Sequence, residues 1–246
     1  MKRLFFILLL FIPSLLWGQL MIPGMAGSAT SGGDGGSSLL TGLISYWNFD
    51  EASGVAVDGM GVNNLIVTGA TQNQTGKLGT AYTFDGNDYV GGIDAYKYTG
   101  VFSISCWVNT TTAGSFRFFI SNYEDPEGYC IGMTDANHAT FELGNAATAS
   151  TAIGYTDITT GDWFHIVAVW DLSYIRIYVN GTEEDNTPLS SAAYSGGADE
   201  HFTIGNRREN LYWIGGIDAI YVWNKALSSS EVTELYNSGT GITHPF

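Results

Sequence analysis

Basic residues are scarce in this 246-residue chain: Lys and Arg together number 9 against 24 Asp and Glu, a net charge of −15. So acidic a chain argues against nucleic acid or an anionic membrane as primary partner, because both carry negative charge themselves. Charged residues of either sign make up 13%, about half the usual ~25%. Cysteines number two. No G-x-S-x-G or H-E-x-x-H element occurs, so the sequence has neither a nucleophile elbow nor a helical zinc-protease motif. The four histidines, His138, His165, His201 and His244, are scattered. His165 lies in a strand pattern and reads as a structural residue rather than a base.

Apolar residues are plentiful at 45%, with 14% aromatic, and glycine numbers 32, nearly twice its usual ~7% share. Such a chain can bury a large core and is not disordered. Short aromatic-rich segments punctuated by glycine read as all-β. At the start, Lys2 and Arg3 precede an apolar run over Leu4–Ile12, interrupted by Pro13. This is the layout of a secretory signal over residues 1–18, too short for a ~20-residue membrane span. Its removal leaves 7 basic against 24 acidic residues, net −17. Residues 19–38 read as a linker: Gly24–Ser38 holds six glycines in fifteen residues, too little apolar surface to offset ordering entropy. One folded domain is then expected over 39–246, secreted or displayed at the cell surface, with no membrane span in the mature chain.

Strand patterns recur along that domain. Val101–Asn109 alternates, with Phe102, Ile104, Cys106 and Val108 on one face and Ser103, Ser105 and Trp107 on the other. Trp163–Trp170 and Tyr174–Val179 form a pair joined at Asp171–Ser173. Asn180-Gly181 comes next, a hairpin signal because both residues accept positive φ. In Tyr212–Trp223, simple alternation puts Ile217, Ala219, Tyr221 and Trp223 on one face and Asp218, Ile220 and Val222 on the other. One helix is expected after Ser228, capped by a box with Glu231, stapled by Leu227 and Val232 and ended at Gly239. The fold class is therefore a two-sheet antiparallel sandwich with one short C-terminal helix.

Six segments occur in a telling order: LISYWNFDEASG, GKLGTAYTFDGNDYV, FSISCWVN, GDWFHIVAVWD with IRIYVNG, FTIGNR, and GGIDAIYVWNKALSSSEVTELYNSG. Together they resemble the laminin-G-like, concanavalin A-like lectin/glucanase superfamily over about Leu43–Ser238. The resemblance implies a jelly-roll sandwich. It does not fix a function, because one fold hosts lectins, adhesion modules and glycan hydrolases. It also implies a structural calcium where first and last strands meet, with Asp50, Asp58 and Asp218 as matching positions. Asp85 and Asp88 in FDGNDYV are second candidates. Asp58 and Asp85 have a simpler reading as turn caps beside glycine.

Glycan hydrolysis needs two carboxylates flanking the bond. The E-x-D-x-E run of laminarinase-like relatives is absent. Glu124, Asp125 and Glu127 surround Pro126 and read as a loop, and Glu183, Glu184 and Asp185 read as a solvated hairpin end. The chain is therefore read as no enzyme. Most tryptophans fall in strand motifs and read as packing. Tyr123, Tyr129, Tyr212 and Trp213 are the surface candidates for stacking on a sugar ring. Cys106 and Cys130 either pair, as an exported chain permits, or stay as two buried thiols. The expected partner is carbohydrate or a surface glycoconjugate. The alternative is a structural or adhesion part that binds protein.

Overall fold

The computed structural model describes residues 37–93, 100–124, 127–144, 149–189, 201–207 and 211–246, the side chains of 93, 123, 124 and 127 excepted. The leader and nearly all of the linker read from the sequence lie outside the described residues. In chain order the strands are β1 Leu43–Trp47, β2 Ile66–Thr68, β3 Thr71–Thr75, β4 Thr80–Asp85, β5 Tyr89–Ile93, β6 Phe102–Asn109, β7 Arg117–Glu124, β8 Glu127–Met133, β9 His138–Gly144, β10 Ala149–Asp157, β11 Trp163–Trp170, β12 Tyr174–Val179, β13 Thr182–Pro188, β14 Phe202–Ile204 and β15 Ile214–Trp223. Helix α1 spans Ser229–Tyr236. One antiparallel sheet runs β13-β12-β11-β6-β15-β4-β3, with β1 also paired to β15, and the other runs β10-β9-β8-β7-β14-β5-β2. The expected two-sheet jelly roll with one short C-terminal helix is what the chain forms.

The main core lies between the sheets and is aromatic, with Trp47, Phe102, Phe141, Trp170 and Trp213 fully buried in it. A second apolar layer covers the outer face of the eight-stranded sheet: Trp107, Tyr221 and Trp223 pack with Leu39, Val232 and Leu235. This explains why β6 is buried on both faces. Its polar residues there are partnered, as burial requires. Ser103 Oγ donates to the Lys225 carbonyl and accepts from Leu227 N. Ser105 Oγ lies 2.8 Å from His165 Nε2.

Strand β15 departs from simple alternation. Ala219 has φ 48°, and the register with β6 shifts between Asp218 and Tyr221. This bulge puts Ile217, Ile220 and Val222 in the main core and Ala219, Tyr221 and Trp223 in the second layer. An extra residue on one strand reverses the facing of the residues beyond it.

The helix has the anticipated capping box between Ser228 and Glu231, and Asn237 ends it in the left-handed region. Glu231 also accepts from Lys225 Nζ and Ser38 Oγ. Burial works to raise its pKa, yet bonds from Lys225, Ser228 and Ser38 hold it down at about 2. Ser37 donates to Glu234, so Ser37 and Ser38, read from the sequence as the end of the linker, are both tied to the helix. Ser228→Ala is expected to cost about 1 kcal/mol, measured by urea denaturation, with faster amide exchange at Val232. An unchanged midpoint would mean that packing alone holds the helix.

Candidate functional site

Two of the five aspartates proposed for metal share one loop. Gly76–Thr80 joins β3 to β4, and Asp218 of β15 reaches it from beneath. Asp218 Oδ2 accepts from Lys77 N at 2.7 Å and Leu78 N at 2.8 Å. Asp50, exposed after β1, accepts from Thr80 N at 2.8 Å. A Cβ at Gly76 would lie 2.7 Å from Asp218 Oδ2, and one at Gly79 would collide with Asp50 Oδ1. Glycine at both places lets the backbone approach the carboxylates. Asp218 is fully buried and its Oδ1 has no hydrogen-bond partner among the described residues. Burial raises its pKa, the Leu78 and Lys77 amides lower it and the Asp50 charge raises it again, leaving it at about 7.

An unpartnered, buried carboxylate oxygen beside a second carboxylate fits a hard cation. Calcium takes six to eight oxygens, including carbonyls and water. Asp50 and Asp218 would hold it. No group of three or more Asp, Glu, His or Cys comes together among the described residues, so the remaining oxygens would be backbone or water.

The other three aspartates stand elsewhere. Asp58 is buried and accepts from Ser45 Oγ and from the amides of Tyr46, Met60, Val62 and Asn63. It organises the loop after β1. Asp85 and Asp88 close the turn between β4 and β5, where Asp88 Oδ2 accepts from Asp85 N and Asp85 Oδ1 from Asn87 N.

Two of the four aromatic candidates are taken up by the core. Tyr129 is fully buried against Phe102, with ring centroids 4.7 Å apart. Trp213 is fully buried, packs edge-on against Phe119 and donates from Nε1 to the Gly216 carbonyl. Inward facing on β8 and just before β15 decides both. Tyr212 is half-buried, and the side chain of Tyr123 lies outside those described. The two cysteines are buried thiols that are not bridged to each other. Cys106 faces the main core, whereas Cys130 donates to Glu142 Oε2 at 3.5 Å and stands outside that core. The Tyr129 and Ile131 side chains between which it alternates face inward, so a sheet separates the two sulfurs and no bridge can span them without backbone movement.

Several other titratable groups among the described residues serve structure. Glu184 accepts from Tyr155 N and Thr156 N, and Asp185 from Ile153 N, so the acids of β13 tie it to β10 across the sheet edges. His165 sits against Trp107 with centroids 5.0 Å apart, and burial pushes its pKa to about 3. The Ser105–His165 pair is thus neutral and sealed from substrate. On the outer face of the seven-stranded sheet, Arg207 pairs with Glu142 at 3.4 Å and lies 5.0 Å from the Phe118 ring centre.

Sequence reading missed a cleft of about 790 Å³ between α1, the turn after it, the tail to Phe246 and Leu78. Its walls are braced. Gly241 N donates to the Tyr236 carbonyl, Asn237 Nδ2 to the Gly241 carbonyl, and Phe246 packs on Tyr221 at 5.4 Å. No periodicity marks such a place, because its lining comes from segments distant in sequence.

Two antiparallel sheets packed about one core, with a helix on the outer face of the larger, define the chain as a jelly-roll module. Residues 84–233 match the concanavalin A-like lectin/glucanases superfamily, and the chain belongs to that family. Solved structures share the fold. The binding domain of Paraclostridial Mosquitocidal Protein 1 is 19% identical, with TM-score 0.68, over 81% of this chain and 53% of its own. Domain 4 of AbnA, an extracellular arabinanase of family GH43 from Geobacillus stearothermophilus, was solved with arabinotriose; it is 23% identical, with TM-score 0.61, over 78% of this chain and 97% of its own. The receptor binding domain of botulinum neurotoxin D is 16% identical, with TM-score 0.60, over 81% of this chain and 53% of its own. The chain thus spans about half the length of the two toxin domains. At these identities the likeness is one of fold. No curated protein matches the chain by sequence.

Proposed function

We propose that this chain is an exported, non-catalytic binding module for carbohydrate or surface glycoconjugate, assisted by calcium at Asp50 and Asp218. The observation that supports it most is chemical: among the described residues, Glu184 and Asp185 are engaged in strand pairing and His165 in packing, while one buried Asp218 oxygen stays unspent; Glu124, Asp125 and Glu127 lie outside the described side chains. The arabinotriose-bound AbnA domain, matched over nearly its whole length, supports carbohydrate as the ligand class. The leader over residues 1–18 supports export. Calcium would neutralise the two carboxylates and lock Gly76–Thr80, the loop that carries Leu78 into the cleft.

A panel of glycans and polysaccharides, run in calcium and again in EGTA, tests this reading. One sugar class should be bound in calcium, with at least a tenfold loss in EGTA, and calcium should raise the melting temperature. Silence in both buffers from folded protein would overturn the carbohydrate reading. A second reading, an adhesion part that binds protein, draws on the loop after β1. There Val55, Val57, Met60 and Val62 are all exposed, Val62 by 75%, on a loop that Asp58 holds rigid.

A further inference from the structure

We propose that the cleft beside α1 is the saccharide site of this module and that it selects neutral over acidic sugars; this rests on the carbohydrate reading above. A sugar ring offers an apolar C–H face and a rim of hydroxyls, so its site needs apolar surface beside groups that both donate and accept. The cleft has both. Leu78, Ile242 and Phe246 supply the apolar side, and Thr233, Ser238 and Thr243 supply hydroxyls; Thr233 spends its proton on the Ser229 carbonyl at 2.9 Å and so offers an acceptor, whereas the Ser238 and Thr243 hydroxyls can both donate and accept. Its volume of about 790 Å³ falls within the range of small-ligand sites.

Charge decides the class of sugar. Among the described residues, Glu234 is the only charged side chain in the lining, and no Lys or Arg joins it there. Carboxylate and sulfate groups are usually met by Arg or Lys, and a negative wall repels them. The net charge of −15 adds to that repulsion.

The walls are set before a ligand arrives. Helix α1 is held by its capping box. The tail is pinned where His244 N donates to Tyr221 Oη and where His244 stacks on Tyr46 at 4.5 Å. Leu78 meets Gly241 so closely that a Cβ there would lie 3.1 Å from its methyls. A preformed site loses less on binding.

Backbone amide shifts of the full chain would be followed on adding arabinotriose, maltotriose, cellotriose or sialyllactose. At least one neutral trisaccharide should perturb Thr233, Ser238 and Ile242, while sialyllactose leaves them unmoved. Thr233→Trp, an exposed substitution that fills the cleft, should weaken binding at least tenfold without lowering the melting temperature. Saccharide binding that shifts other residues and ignores Thr233→Trp would overturn this site while the carbohydrate reading stands. Equal binding of sialyllactose in the cleft would overturn the neutral preference. No binding by any of the four to folded protein would overturn the site, and silence across the wider panel would overturn the reading beneath it.

Discussion

Trp213→Ala is expected to cost about 3–5 kcal/mol of stability while leaving the ligand affinity of the folded fraction unchanged. The indole is fully buried, meets Phe119 edge-on at 5.2 Å and donates to the Gly216 carbonyl. Its removal deletes a large apolar surface and leaves a hole between two sheets that are each held by their own ladders, so little collapse can fill it. In a domain of this size the melting temperature should fall by roughly 2–4 °C per kcal/mol. Tyr212→Ala, next door but half-buried, should cost far less. Denaturant titration of both variants checks this. Loss of sugar binding at Trp213→Ala with unchanged stability would restore the stacking role that sequence reasoning assigned to it.

The second large effect concerns pH in calcium-free buffer. Asp218 has its pKa raised to about 7 by burial, against an unfolded value near ~3.9. Between those values the folded state holds a proton that the unfolded state has lost, so this group lowers stability as pH rises. His165 has its pKa pushed to about 3, against ~6.5 unfolded. There the unfolded state holds the extra proton, so stability rises with pH and is lost as pH falls. Between pH 5 and 6 the two slopes oppose and nearly cancel. Asp218→Asn should remove one of them, leaving stability to climb by up to about 1.4 kcal/mol per pH unit. The same variant should abolish stabilisation by calcium. Urea titrations at pH 5, 5.5 and 6 read the slope. A flat profile in Asp218→Asn would mean that Asp218 is not the group opposing His165.

The legible strands were those whose side chains declare a buried face. Trp163–Trp170, Tyr174–Val179 and the Asn180-Gly181 turn, with φ values of 50° and 79°, formed as their residues indicate. Three strands escaped notice: β3 (TQNQT), β10 (ASTAIGYTD) and β13 (TEEDNTP). All three lie at sheet edges. Such strands are held by a neighbour's ladder and by long-range bonds, such as Asp185 to Ile153 N, rather than by an apolar face of their own. Glu183–Asp185 therefore looked like a solvated hairpin end and proved to be strand.

The candidate site was half legible for a similar reason. Asp50 and Asp218 were singled out through family resemblance, and the fold does bring them to one loop. Asp58, named with them, turned out to serve a loop of its own, because one carboxylate can satisfy several backbone amides as readily as a metal. Tyr129, Trp213, Cys106 and Cys130 depended on facing, which sequence fixes only where alternation is unbroken.

Local pattern was enough for the β class, the sheet-forming segments with strong apolar alternation, the capped helix and the acidic character, since each is written in neighbouring residues. The bulge at Ala219, the separation of the two thiols, the burial of the aromatic candidates and the existence of the cleft came from the folded arrangement. These depend on contacts between residues as distant as Leu78 and Gly241, and a chain's local pattern carries no record of which distant surface will cover it.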